Sequence, residues 1–103
     1  MVSIYIPVMD ALKEAGLNES DDVRQICLRL DECCVDFGCE RIEVAANGEA
    51  ATLEVTLCFD DIIMEHGRAH PFFKAIEKAS LVEFSTKDGL PVVKIVYAEL
   101  NKN

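Results

Sequence analysis

The chain contains no tryptophan, few cations, few prolines and no apolar run long enough to cross a membrane. Each shortage excludes something. Ten lysines and arginines stand against nineteen acidic residues, a formal net charge of −9. A protein so poor in cations has little with which to displace counterions from a polyanion, which argues against nucleic acid as a partner. Anionic membrane surfaces are disfavoured for the same reason. No segment approaches the roughly 18 consecutive apolar residues of a transmembrane helix. The opening stretch "MVSIYIPVMDALKEAG" lacks a basic region followed by a long apolar one, so we expect no signal peptide and a cytoplasmic location. There is no P-loop, no dinucleotide-type G-x-G-x-x-G and no C-x-x-C pair. None of these absences points to an enzyme.

What is present is apolar content: half of the 103 residues are hydrophobic. At this length one domain is expected, burying about 65% of the extended chain's surface. We take residues 1–103 as that domain, with 1–17 as an N-terminal segment and 101–103 as a frayed tail. The charge is unevenly spread. Residues 10–65 carry 15 acidic and 4 basic side chains, a net of −11, and residues 66–103 carry 4 and 6, a net of +2. Such asymmetry can guide self-association or attract a basic partner.

The most legible element is a helix over about 21–37. Ser20 is placed to cap it, Asp21 and Asp22 suit its positive end, and Val23, Ile26, Cys27, Leu30, Cys33, Cys34 and Phe37 recur at the helical period. Before it, "VSIYI" (2–6) reads as a short strand, followed by a helix with Val8, Leu12 and Ala15 on one side and Gly16 at its end.

Asn47-Gly48 is the preferred pair for a two-residue type I′ turn. Placing the turn there sets Ile42 opposite Leu53 and Val44 opposite Ala51. Asp88-Gly89 does the same for a second hairpin, setting Phe84 opposite Val93, Val82 opposite Ile95 and Glu83 opposite Lys94. Pro91 cannot donate to a ladder, so its strand needs a free side there. Between the hairpins, "DDIIMEHGRAHPFFKAIEKA" reads as a helix interrupted near Gly67 and Pro71.

The expected fold is therefore α+β: a four-stranded antiparallel sheet of two hairpins, with helices packed on one face. If residues 2–6 join the sheet, the alternative is a ferredoxin-like β-α-β-β-α-β order with an added C-terminal strand.

Three features bear on function. The first is "DECCVDFGCER", with three cysteines. Cys33 and Cys34 lie on the apolar stripe and read as small core residues. Of the five cysteines, Cys34 and Cys39 are the candidates for metal, but the paired-ligand spacing of zinc sites is missing. We expect no metal and no cofactor. The second is "EHGRAHP", where His66, Arg68 and His70 could hold a small anionic ligand. The third is apolar surplus. Leu28 and Val35 fall outside the main helical stripe, and Leu81, Val92 and Val96 fall on the sheet face opposite Val82, Phe84, Val93 and Ile95. These five are the candidate interface. The expectation is a small acidic, non-catalytic protein-interaction module that binds a protein partner, itself above all, as a homodimer. The alternatives are a metal- or thiol-dependent sensor and an anionic-ligand binder.

Overall fold

The structure, a computed structural model, describes residues 4–37, 39–59 and 76–100, with side chains throughout except at 33–37, 39 and 40. Two helices open the chain, α1 (Tyr5–Ala15) and α2 (Asp21–Phe37). Four strands follow: β1 (Cys39–Asn47), β2 (Thr52–Phe59), β3 (Leu81–Lys87) and β4 (Leu90–Tyr97). The class is α+β, with one antiparallel sheet in the order β1-β2-β4-β3.

α2 starts where its side chains dictate. The Ser20 hydroxyl accepts the Val23 N–H at 3.3 Å, and the Ser20 carbonyl accepts the Arg24 N–H at 3.1 Å. Asp21 and Asp22 occupy the first turn, beside its unpaired N–H groups. α1 ends in a Schellman arrangement. Gly16 takes the left-handed conformation (φ 73°), and the Leu17 and Gly16 N–H groups return to the carbonyls of Leu12 and Lys13.

The beginning of α1 corrects the sequence reading. Tyr5 and Ile6 are helical, not extended, and among the described residues no strand precedes α2, Leu17 making only an isolated bridge. The ferredoxin-like order is thus not the one observed. The β-branched run was misleading because Ile4, Val8 and Leu12 form one stripe at the helical period, all buried. α1 has no capping side chain of its own. Asp31, from the third turn of α2, accepts the Ile4 N–H at 2.8 Å and places a carboxylate at the positive helix end.

The second hairpin has the expected register, with Phe84 opposite Val93, Glu83 opposite Lys94 and Val82 opposite Ile95. Asp88 and Gly89 both have positive φ, 55° and 80°, as a type I′ turn requires. Pro91 sits one residue before β4 begins to pair with β2 at Val92, so no bond to β2 is lost.

The first hairpin differs. Asn47 pairs with Thr52, Val44 with Val55 and Ile42 with Leu57. The turn spans four residues, 48–51, rather than two. Asn47 Oδ1 accepts the N–H groups of both Glu49 and Ala50 at 3.0 Å, and Ala51 takes φ 54°. This side-chain closure competes with the tight turn and wins. The slip is even, so apolar still meets apolar.

The core is wholly apolar among the described residues. Val8, Leu12, Val23, Ile26, Cys27 and Leu30 of the helices meet Leu53, Val55, Leu57, Val93, Ile95 and Tyr97 of the sheet. Among the described residues no buried side-chain nitrogen or oxygen is left without a partner.

Candidate functional site

The registers assign every strand residue to a face. Leu53, Val55 and Leu57 of β2 and Val93, Ile95 and Tyr97 of β4 point toward the helices. The opposite face carries three cross-strand rows: Arg41, Cys58, Val92 and Ser85; Glu43, Thr56, Lys94 and Glu83; Ala45, Glu54, Val96 and Leu81. Leu81, Val92 and Val96 therefore share the outer face. Their exposure differs. Leu81 is 45% exposed, Val96 is partly buried and Val92 is buried.

Charge pairs tie this face together. Lys94 Nζ lies 2.6 Å from Glu54 Oε1 and 3.9 Å from Glu83 Oε2. Lys87 of β3 reaches Glu43 of β1 at 3.9 Å, and Arg41 lies 3.5 Å from the same carboxylate. A flat sheet would hold β1 and β3 about 14 Å apart, three strand spacings. Glu43 and Lys87 also stand two cross-strand rows apart, farther than their side chains span on a flat sheet, so the sheet twists and brings this pair together over its outer face. A cavity of about 550 Å³ lies on that face, lined among the described residues by Arg41, Cys58, Lys87, Asp88, Leu90 and Val92. Arg41 Nη2 donates to Cys58 Sγ at 3.8 Å. Arg41 and Lys87 are offset by Glu43 and Asp88, so the hollow does not select strongly for an anion.

Leu28 lies elsewhere. It is 57% exposed on α2, in the helical layer, whereas Leu81, Val92 and Val96 are on the other side of the sheet. The five candidate interface residues do not form one patch. The side chain of Val35 lies outside the described residues, as do those of Cys34 and Cys39. His66, Arg68, His70 and the interrupted helix at 60–75 also lie outside them. Among the described residues no group of three or more His, Cys, Asp or Glu side chains could hold a metal ion. No helix among them is long and apolar enough to cross a membrane.

Several surface residues were not singled out from the sequence. Phe84 is 62% exposed on β3, although its register places it on the helix-facing side. α1 and α2 both pack toward β1, the opposite edge. Tyr5 and Ile6, 37% and 63% exposed, were read as strand residues. The Tyr5 hydroxyl donates to Glu19 Oε1 at 2.7 Å, and Arg24 Nε donates to the same oxygen at 2.6 Å. Arg24 and Tyr5 hold the Glu19 carboxyl below its ordinary range, and the bond to Glu19 raises the Tyr5 hydroxyl. No alternation or spacing signals such a cluster, because it joins residues on three different segments.

Cys27 is buried beneath it. Burial first, then the carboxylates of Asp31 and Glu19, push its thiol up to about 11. The native protein should therefore leave Cys27 unlabelled by iodoacetamide at pH 8, and denaturant should release it. Because the folded thiol ionises later than the unfolded one, the unfolded state binds fewer protons between about pH 9 and 11. Stability should fall as pH rises through that window. Urea titrations at pH 8 and 10.5 check the sign, and Cys27→Ala should flatten the difference.

A search against protein-family models and against curated proteins found no match for this chain.

Proposed function

We propose that the chain is a small, non-catalytic protein-interaction module that forms a homodimer by antiparallel pairing of β3 with β3 of a second copy. The carrying observation is that β3 ends the sheet among the described residues and its sequence is self-complementary. The two-residue turn makes Lys87 and Leu90 the hydrogen-bonded pair beside it, so alternation turns the backbone groups of Val82, Phe84 and Thr86 away from β4. Those of Val82 and Thr86 are the groups a second strand would pair with. Centring a twofold axis on Ser85 places Glu83 opposite Lys87 of the second copy, twice over, and Phe84 opposite Thr86. The intrachain contacts of Glu83 and Lys87 are long, 3.9 Å each, and re-pair at little cost.

Charge supports this choice of edge. The chain carries −9, but β3 holds one glutamate and one lysine and is neutral. Two copies meeting there bring together neutral edges of an acidic molecule. The reading places the chain in the reducing cytoplasm. An odd count of five cysteines supports that, as do Cys27 and Cys58, both free and buried. The sensor and anionic-ligand readings rest on residues outside the described set and gain no support.

Sedimentation velocity tests the proposal. The wild type should run as a dimer at high micromolar concentration. Thr86→Pro removes an outward N–H without touching the β3–β4 ladder, and should give a folded monomer. Glu83→Lys and Lys87→Glu should each weaken association about tenfold, and the double exchange should restore it. A monomeric wild type, or a dimer indifferent to Thr86→Pro, would remove the reading.

A further inference from the structure

The α1–α2 surface lies apart from β3 and carries its own signature. Two hydrogen bonds pin the first turn of α1 across α2. The Ile4 N–H donates to Asp31 at 2.8 Å, and the Tyr5 hydroxyl reaches Glu19, which also takes Arg24. Leu28 stands four residues after Arg24 and three before Asp31, on the same side of α2 and between the two pins. The two bonds run the Tyr5 side chain along the 24–28–31 side of α2, and Ile6 is the next residue of α1, itself exposed. Three of the six large exposed apolar side chains among the described residues gather here, Tyr5, Ile6 and Leu28. The remaining three, Leu81, Phe84 and Leu90, belong to the second hairpin.

The border is acidic. Asp10 follows Ile6 by one helical turn, and Asp31 and Glu32 follow Leu28 by one. Arg24, one cation at the margin, is held by Glu19 at 2.6 Å and Asp21 at 3.6 Å, and Lys13 stands one turn beyond Asp10. Arg29 is drawn 3.5 Å from Glu77, toward the segment before β3. Leu28 and the three bordering carboxylates lie within the stretch of net charge −11, residues 10–65.

We infer that the surface formed by Tyr5, Ile6 and Leu28 docks a basic amphipathic helix of a partner protein. The apolar residues give such a helix an anchoring face, and Asp10, Asp31 and Glu32 meet its flanking lysines or arginines. A second copy of this chain is a poor occupant, because two acidic borders would face each other. An extended strand is also disfavoured, because both elements here are helices with no open sheet edge. Packed helices present ridges and grooves suited to a third helix.

Fluorescence anisotropy with a labelled Leu/Lys amphipathic peptide tests this. The controls are a scrambled peptide of the same composition and a Leu/Glu peptide of the same pattern. The decisive variants are Leu28→Glu and Ile6→Glu, both at exposed positions, with far-UV circular dichroism to verify the fold. Each adds negative charge, so electrostatics alone would tighten binding to a basic peptide. Loss of the apolar anchor should instead weaken it about tenfold. The scrambled and Leu/Glu peptides should bind at least tenfold more weakly than the Leu/Lys peptide. Equal binding of the scrambled peptide, unchanged or tighter binding by Leu28→Glu, or no binding at all overturns the inference. Repeating the titration on Thr86→Pro separates it from self-association, since the helical surface should bind equally well in the monomer. A Leu28→Glu variant that dissociates the dimer would also overturn it, by assigning the patch to the homodimer.

Discussion

Ile95→Ala should lower the unfolding free energy by about 2–5 kcal/mol. Ile95 is fully buried on β4, opposite Val55 on one side and Val82 on the other. Removing its side chain opens a cavity where β2, β4 and β3 meet under the helices. Neighbouring strands are fixed by hydrogen bonds on both edges of β4, so they cannot close in. Ile95→Val removes one methylene and should cost only about 0.5–1.5 kcal/mol. A domain of this size has about 5–15 kcal/mol in total, so the alanine variant should lose a large share of it. Urea denaturation followed by circular dichroism measures both. It should be run in the Thr86→Pro background, because any dimer would couple stability to concentration. A loss below about 1 kcal/mol for the alanine would mean that β4 is not the centre of the core.

Gly48→Val should be the most damaging loop substitution, at about 1–3 kcal/mol or more. A Cβ at Gly48 would collide with the Ala15 carbonyl oxygen. That oxygen belongs to the last residue of α1, whose end is fixed by the Schellman bonds at Gly16 and Leu17. Neither side is a flexible side chain, so either the turn or the helix end must shift. Gly89→Val provides the comparison. Gly89 has open space around its Cβ position but φ 80°, so its cost comes from backbone strain rather than collision. The two variants should also differ in what they disturb. Gly48→Val should weaken the α1 contact with the first hairpin, visible as faster amide exchange in α1. Gly89→Val should leave α1 unchanged.

The two hairpins show how far local sequence determines geometry. Asp88-Gly89 lies between strands whose charged pair, Glu83 and Lys94, agrees with the turn, and the register follows from both. Asn47-Gly48 carries the same local signal, yet Gly48 serves a close approach to α1 instead of a left-handed turn. That requirement comes from a residue 33 positions earlier, Ala15, and no local pattern contains it. α2 was legible throughout its bounds because cap, acidic first turn and stripe agree. The first turn of α1 was not, because its cap is supplied by Asp31. The outer-face membership of Leu81, Val92 and Val96 followed from alternation alone. Their exposure did not, since it depends on how the sheet twists and brings Lys87 to Glu43. The separation of Leu28 from the sheet surface likewise depends on which layer each element joins. Among these residues, spacing showed which side chains were surplus to the core, and only packing showed that they form two surfaces.

The order β1-β2-β4-β3 has a kinetic consequence. Each hairpin closes through its own short turn, but the seam between them joins Cys58 to Val92, 34 positions apart, and Leu53 to Tyr97, 44 apart. Hairpins form in about 1–10 μs, whereas non-local pairing must first meet a larger loop-closure entropy. The seam is therefore the slow step of folding. Truncations along it, at Val55 or Ile95, should slow folding, while changes confined to the Asp88-Gly89 turn should mainly alter how fast one hairpin is ready. A chain stalled before that step would hold two finished hairpins, each with an open inner edge, and its exposure to aggregation would be set by the time taken to join them.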